Sequence, residues 1–219
     1  MSKTVEHQYQ ELLETKRVQF GLMSGHAYLG DTKRLAFCLS RYKFVSKMMS
    51  DLDQVLEVGC ADAFGSTIVM KEVKSLSACD FDPLFIEDAK VTHPFASEIE
   101  FFVHDMVTSA VRNCYDGVYF LDVLEHIQPQ DEAKFMDNVL YGLTENGLCI
   151  AGMPSLESQA YASAISKAGH VNCKSGQEFR DMFKKYFHNV LMFSMNDEVL
   201  HTGFFPMSQY LFAIGIGKK

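Results

Sequence analysis

From residue 54 onward, short apolar runs alternate with segments that have the spacing of helices. The runs are QVLEV, KSLSACD, IEFFVHD, YDGVYFL and GLCIAG, and the helical segments between them are FGSTIVMKEV, PLFIEDAKV and DEAKFMDNVLYGL. Strands that are apolar along nearly their whole length and separated by helices are typical of a parallel sheet covered on both faces. The alternation predicts an α/β, doubly wound, Rossmann-like fold with its ligand at the carboxyl ends of the strands.

The two ends of the chain depart from this alternation. The beginning has only helical spacing, and the last two apolar runs, VLMFSM and QYLFAIGI, have no long helix between them. We expect those two runs to form an antiparallel hairpin. The prediction is one domain, 1–219, made of an N-terminal helical cap at 1–51, a core at 52–152, an insertion at 153–174, and a closing helix and hairpin at 175–219.

Composition narrows the class of partner. Hydrophobic residues make up 47% of the chain and charged residues 22%, as in ordinary globular proteins. The formal net charge of −8 argues against a long nucleic acid or an acidic membrane surface as the partner. We therefore expect a small-molecule ligand, and the oligomeric state stays open.

The cysteines and the start of the chain bear on location. Six cysteines are scattered with no CxxC pair, which is typical of a reduced protein. The start, MSKTVEHQYQELLETKRVQF, is polar and differs from a signal peptide, and no apolar run approaches the length of a membrane span. The expected location is cytoplasmic.

The loop VLEVGCADAFGS, residues 55–66, follows the first predicted strand. It lacks the lysine of a phosphate-cradling P-loop. A dinucleotide fingerprint that begins at Gly59 would place Phe64 at its last glycine, where a close helix–strand contact is needed. A nicotinamide-dependent oxidoreductase is therefore a weaker alternative.

An acidic residue stands at the end of each of the first three strands. Glu57 suits an ammonium group or a hydroxyl, and Asp80 can accept from both hydroxyls of a ribose. Phe81 can lie against an adenine, and Asp105 can accept from its amino group. Each acid could instead cap a helix or a turn.

Four motifs, in order and at matching spacing, resemble the class I S-adenosylmethionine-dependent methyltransferases. They are ExGCA at 57–61, CDFDP at 79–83, HDM at 104–106 and YDGVYFLDVLEHI at 115–127. The resemblance covers about 52–152 and implies a seven-stranded sheet with S-adenosylmethionine as the methyl donor. The family approaches the donor with loop backbone, so small residues suffice where Ala61 and Ala63 replace glycines. The implied donor contacts are Glu57, Gly59, Ala61, Asp80, Phe81, Asp105, Met106 and Leu121.

The run LDVLEHI contains the candidates for chemistry. Asp122, Glu125 and His126 share one face if a helix begins at Asp122. One interpretation is a capping box in which Glu125 reaches back to the amide of Asp122. The other adds His170 from the insertion, because two carboxylates and two imidazoles can hold a divalent cation.

That second interpretation is similar to two methyltransferase groups, the ubiquinone-biosynthesis enzymes and the small-RNA 2′-O-methyltransferases. Both have an acidic-x-x-E-H run after the fourth strand, and the RNA group has a histidine placed like His170. The resemblance implies Asp122, Glu125, His126 and His170 as metal ligands. Asp122, His126 and His170 are also the catalytic candidates, since either histidine can act as a general base without a metal.

The acceptor side is expected to come from the two segments outside the alternation. We predict that the N-terminal helices and the insertion close over the cleft, with His26, Tyr28, Arg34 and Tyr161 facing the acceptor. The expected activity is methyl transfer to an oxygen of a small, anionic metabolite. N- or C-methylation and a catalytically silent, methyltransferase-like subunit stay open as alternatives.

Overall fold

The computed structural model describes residues 7–219. Within that range the helices are α1 His7–Glu14, α2 Leu22–Gly30, α3 Thr32–Met48, α4 Ser66–Met70, α5 Pro83–Thr92, α6 Glu132–Tyr141, α7 Ala164–Gly169 and α8 Gly176–Tyr186. The strands are β1 Gln54–Val58, β2 Ser75–Asp80, β3 Ile99–Val103, β4 Tyr115–Leu121, β5 Leu143–Pro154, β6 Phe187–Asn196, β7 Val199–His201 and β8 Tyr210–Lys218. The alternation of strands and helices predicted from the sequence is therefore confirmed.

The eight strands form one sheet in the order β3-β2-β1-β4-β5-β8-β6-β7. Strands β1 to β5 are parallel, and β8 lies antiparallel between β5 and β6. The doubly wound fold and the antiparallel closing pair are confirmed. The sheet has eight strands instead of seven, because β7 pairs with the edge of β6 over only three residues. So short a strand shows no periodicity in a sequence.

Both faces of the sheet are covered by helices. One face packs against α6 and α8, whose Phe135, Phe179 and Phe183 are buried, and the other packs against α3, α4 and α5. The central strands are buried on both sides, which explains their continuous apolar runs. The helices begin where local chemistry dictates: Asp82 caps α5 ahead of Pro83, and Ser175 caps α8 in a capping box with Glu178.

The chain reverses its direction of winding at β1, which lies between β2 and β4. At such a switch point the loops at the carboxyl ends of the strands diverge and leave a crevice for a ligand. The predicted donor residues stand at this edge. Among residues 7–219, no helix combines the length and the apolar composition required to cross a membrane.

Candidate functional site

The loop after β1 turns through three residues with left-handed backbone. They are Gly59 at φ 76°, Ala61 at φ 46° and Ala63 at φ 56°. A side chain at Gly59 would overlap the Cγ2 atom of Val123, so this loop touches the turn after β4. Alanine adopts left-handed backbone at a cost of about 1 kcal/mol, and Ala61 and Ala63 therefore keep the glycine shape of the loop under strain.

The acids at the ends of β2 and β3 hold backbone of the same loops. Asp80 is buried, and its carboxylate accepts from the N–H groups of Ala61 and Asp82, both at 3.0 Å. The neighbouring Phe81 is 72% exposed, with its ring free to meet a ligand. Asp105 accepts from the N–H of Val107 at 2.8 Å. Met106 and Leu121, two further predicted donor contacts, are buried beside these loops.

Glu57 lies at the centre of a buried cluster of hydroxyl groups. Its carboxylate accepts hydrogen bonds from Tyr42 at 3.0 Å, from Tyr119 at 2.7 Å and from Ser66. Burial raises the pKa of Glu57 to about 7, although the three hydroxyl bonds act in the opposite direction. The first of the predicted donor acids is therefore already bound by protein groups.

These hydroxyl partners were missed in the sequence. Tyr119 stands opposite Glu57 on the neighbouring strand β4, a pairing that follows once the strand register is known. Tyr42 comes from α3, and nothing in the local sequence indicates that it reaches β1.

Helix α2 is bound to the loop after β1 and to α5. Asp62, which is buried, accepts from both the N–H and the hydroxyl of Ser24, at 2.6 and 2.7 Å. The N–H of Leu22 donates to Asp88 on α5 at 2.7 Å. The ring of Phe20 lies 4.8 Å from the ring of Tyr28. Helix α2 is thus attached to the core through Asp62, in the loop after β1, and Asp88 on α5.

The turn after β4 is not the helix beginning at Asp122 that the sequence suggested. Asp122 has a left-handed backbone, φ 56°, and the helical turn that follows is a 3-10 turn over Leu124–His126. The capping-box interpretation is wrong, because the turn has no side-chain cap. The carboxylate of Glu125 is fully buried and has no hydrogen-bond partner among the described residues.

The two histidines have defined tautomers. Nδ1 of His126 lies 3.0 Å from the carbonyl oxygen of Gly169, and Nδ1 of His170 lies 2.8 Å from Oε1 of Gln159. The amide nitrogen of Gln159 donates to the carbonyl of Ser155 at 3.2 Å, which orients its oxygen toward His170. Both acceptors lack a proton, so each Nδ1 must donate. In the neutral rings each Nε2 then carries a free lone pair.

Glu125, His126 and His170 form a possible cation site. One ligand atom from each lies within 4.8 Å of the other two. Ligands at about 2.1 Å from one ion lie at most about 4.2 Å apart, so a small contraction would bring all three onto it. The unpartnered buried carboxylate and the oriented imidazoles fit a divalent cation. Burial raises the pKa of Glu125, and burial together with the charge of His126 lowers that of His170.

Asp122, the fourth predicted ligand, is not brought into this group. Its Oδ2 atom accepts from Nη1 of Arg41, on α3, at 2.7 Å. Glu125, His126 and His170 do converge, because the insertion folds back and the N–H groups of Val171 and Asn172 donate to the carbonyl of Glu125.

The predicted acceptor residues are exposed. Tyr161 is 92% exposed, and His26, Tyr28 and Arg34 lie on the outer surfaces of α2 and α3. Burial is the main cause that lowers the pKa of His170, and the positive charge of Arg34 acts in the same direction. The contact of these residues with an acceptor stays a prediction.

The sequence and the fold were compared with known proteins. Residues 56–151 match the family model described as a methyltransferase domain. No curated protein matches the chain by sequence.

Solved structures match over most of the chain. An N-methyltransferase, NodS from Bradyrhizobium japonicum WM9 in complex with S-adenosyl-L-homocysteine, is 17% identical, with a TM-score of 0.62 over 84% of this chain and 86% of that one. The methyltransferase domain of bacterial CtHen1-C is 16% identical, with a TM-score of 0.68 over 83% of this chain and 99% of that one.

A third match comes from a complex between the Haloferax volcanii Trm112 methyltransferase activator and the putative methyltransferase. It is 12% identical, with a TM-score of 0.68 over 89% of this chain and 95% of that one. Identities this low show a shared fold. Residues 56–151 are therefore similar to a methyltransferase domain, and the chain shares the α/β fold of these solved methyltransferases.

Proposed function

We propose that this chain transfers the methyl group of S-adenosylmethionine to an oxygen of a small acceptor. The cluster of Glu125, His126 and His170 supports oxygen as the methylated atom, because it offers ligands for a divalent cation at the turn after β4. The methyltransferase domain supports the reaction, and the NodS structure, which contains S-adenosyl-L-homocysteine, supports the donor.

The donor is proposed to lie across the carboxyl ends of β1, β2 and β4. Asp80 would accept from the ribose hydroxyls with the carboxylate lone pairs that its two backbone bonds leave free. The exposed ring of Phe81 would cover the adenine, and Asp105 would accept from its amino group. The predicted contact of Glu57 with the amino acid end of the donor stays a prediction, since three hydroxyls already bind its carboxylate.

The acceptor is proposed to approach from the side of α3 and the insertion. A bound divalent cation would supply Lewis acid stabilisation of negative charge on the acceptor oxygen. The residues of the chain would orient that oxygen in line with the methyl group, and catalysis would come mainly from this proximity. The exposed guanidinium of Arg34 would attract an anionic group on the acceptor.

A thermal-shift comparison tests the donor first. S-adenosylmethionine and S-adenosylhomocysteine are expected to raise the melting temperature, and NAD is expected to leave it unchanged. Stabilisation by NAD alone would instead support the oxidoreductase alternative. A protein that neither NAD nor an S-adenosyl compound stabilises would instead support the silent, methyltransferase-like subunit.

The second experiment tests the cation and the acceptor together. Methyl transfer from labelled donor to a panel of small hydroxylated metabolites is measured with chelator, and again after Mn²⁺ is restored. We expect activity to disappear with chelator and to return with the ion. Full activity in chelator would exclude the cation and leave His126 or His170 as the general base. Glu125→Gln is the matched variant, because it keeps the shape of the side chain and loses the charge.

A further inference from the structure

Arg41 is a largely buried arginine that binds Asp122, in the turn that carries two of the candidate cation ligands. Its side chain is 12% exposed, and its Nη1 atom donates to Oδ2 of Asp122 at 2.7 Å. The guanidinium lies 3.7 Å from the centre of the Tyr210 ring. A guanidinium removed from water in this way needs a counter-charge, and Asp122 supplies it.

The turn that Arg41 holds is strained. Asp122 has φ 56°, a backbone conformation that residues other than glycine adopt at a cost. The turn is held by the N–H of Asp122, which donates to the carbonyl of Gly152 on β5 at 2.9 Å, and by the ion pair with α3. Strain of this kind persists where surrounding contacts enforce it.

The position of the cation ligands depends on this turn. Glu125 and His126 follow Asp122 by three and four residues. The insertion contacts the other end of this turn through the Glu125 carbonyl and Nδ1 of His126, but the carboxylate of Glu125 makes no hydrogen bond of its own to the described residues. His170 reaches them from the insertion. A shift of the Asp122 turn would therefore displace two of the three ligand atoms together.

We infer that Arg41 is a positioning residue for the proposed cation centre. By binding Asp122, it fixes the turn that carries Glu125 and His126, and it keeps the Asp122 carboxylate out of the coordination shell. The centre then has three protein ligands, with its other positions open to the acceptor. This inference rests on the proposed function.

Charge favours this arrangement over a centre with Asp122 as the fourth ligand. If Asp122 turned to the cation, the buried guanidinium of Arg41 would lose its counter-charge in a site that already contains a cation. An unpaired buried charge is strongly unfavourable. The ion pair also leaves one carboxylate and two neutral imidazoles as donors, the open set that retains positions for a substrate.

The test measures Mn²⁺ binding to the full chain by electron paramagnetic resonance titration, in the absence of donor and acceptor. The variants are Arg41→Met, Asp122→Asn and the double variant, with Glu125→Gln as the loss-of-ligand reference. We expect Arg41→Met and Asp122→Asn each to weaken Mn²⁺ binding about tenfold, the lower range for residues that orient ligands. The double variant should be no weaker than either single one, because both changes break the same ion pair.

Lys47→Met is the matched control. Lys47 also lies on α3 and forms an ion pair, but its partner is Glu72 and the pair is exposed to solvent. The variant should leave Mn²⁺ binding unchanged. Arg41→Lys keeps the charge and should retain more affinity than Arg41→Met. If Arg41→Met does not fold, Arg41→Lys and Asp122→Asn carry the test, with S-adenosylhomocysteine affinity by calorimetry as the measure of an intact donor site.

Three results would overturn the inference. Weaker binding in Asp122→Asn with unchanged or tighter binding in Arg41→Met would make Asp122 a ligand. Unchanged binding in both would make the ion pair irrelevant to the centre. Wild-type protein that binds S-adenosylhomocysteine but no Mn²⁺ would remove the cation from the proposed function, and this inference with it, and would leave the donor site standing.

Discussion

The hydroxyl of Tyr42 donates to Oε1 of Glu57 at 3.0 Å, which ties α3 to the end of β1. The preceding residue on the same helix, Arg41, binds Asp122 beside the candidate cation site. Helix α3, which lies outside residues 56–151, therefore contacts both β1 and the turn after β4. The N-terminal region is, by these contacts, part of the site.

Replacing Glu57 by glutamine should change how stability depends on pH. The pKa of Glu57 is raised from 4.5 to about 7 in the folded protein, so the carboxyl keeps its proton there after the unfolded chain has lost it. The wild type should lose stability as the pH rises from 4.5 to 7, by at most on the order of 3 kcal/mol. Glu57→Gln should lack this loss. Urea unfolding at pH 5 and pH 8 measures the difference.

The exposed Glu98 offers the control for that experiment, and Glu98→Gln should show the same pH dependence as the wild type. An equal loss in Glu57→Gln and the wild type would mean that Glu57 titrates normally.

Ala61→Gly should stabilise the protein. The backbone of Ala61 is left-handed at φ 46°, and glycine adopts this conformation without the penalty that a Cβ atom brings. We expect a gain of about 0.5–1 kcal/mol in the free energy of unfolding. Ala63→Gly, at φ 56°, should gain less, because its methyl group is buried in the core. Ala133→Gly, in the right-handed helix α6, is the control and should lower the free energy of unfolding by about 1 kcal/mol. A loss of the same size in Ala61→Gly would show that the Ala61 backbone is not strained.

Asp80→Asn should weaken donor binding. The change keeps the shape of the side chain but removes the charge that accepts from the ribose hydroxyls in the proposed donor site. Loss of a charged hydrogen-bond acceptor costs about 1.5–3 kcal/mol, so the affinity for S-adenosylhomocysteine should fall roughly 10- to 100-fold in calorimetry. Asp82→Asn is the neighbouring control, because asparagine also caps α5. Equal affinities for both variants would argue against this donor site.

Gln159→Leu should weaken cation binding through His170. The variant removes the acceptor for Nδ1–H of His170, which holds the ring with Nε2 free. Loss of a hydrogen-bond partner that orients a metal-binding histidine typically reduces metal affinity 10- to 100-fold. Titration with Mn²⁺ measures the affinity. Gln177→Leu, on the exposed side of α8, is the control. Unchanged affinity in Gln159→Leu would show that His170 is held in another way, or does not bind the ion.

The fold was largely readable from the sequence. The runs QVLEV and YDGVYFL coincide with β1 and β4, and the acids that follow the strands lie at one edge of the sheet. Periodicity and chain direction are local properties, and parallel strands necessarily bring their carboxyl ends together. The extra strand, β7, was not predicted, because three residues are too few to show the period of a strand.

The meeting of His170 with Glu125 and His126 was also predictable in part. The spacing of Glu125 and His126 is local, and the resemblance to the small-RNA 2′-O-methyltransferases, which have a histidine placed like His170, indicated a further ligand in the insertion. The tautomers were not predictable, because they depend on the carbonyl of Gly169 and the amide of Gln159.

The sequence by itself determined the alternation of parallel strands with helices and the acids at the strand ends, because each follows from residues close together in the chain. Only the tertiary structure decided that Arg41 forms an ion pair with Asp122, 81 residues away, and that Tyr42 donates a hydrogen bond to Glu57. A buried charge binds whichever opposite charge the packing brings within reach, and that choice depends on every element between the two residues. The same residue type after the same strand can thus be a cation ligand or the counter-charge of an arginine.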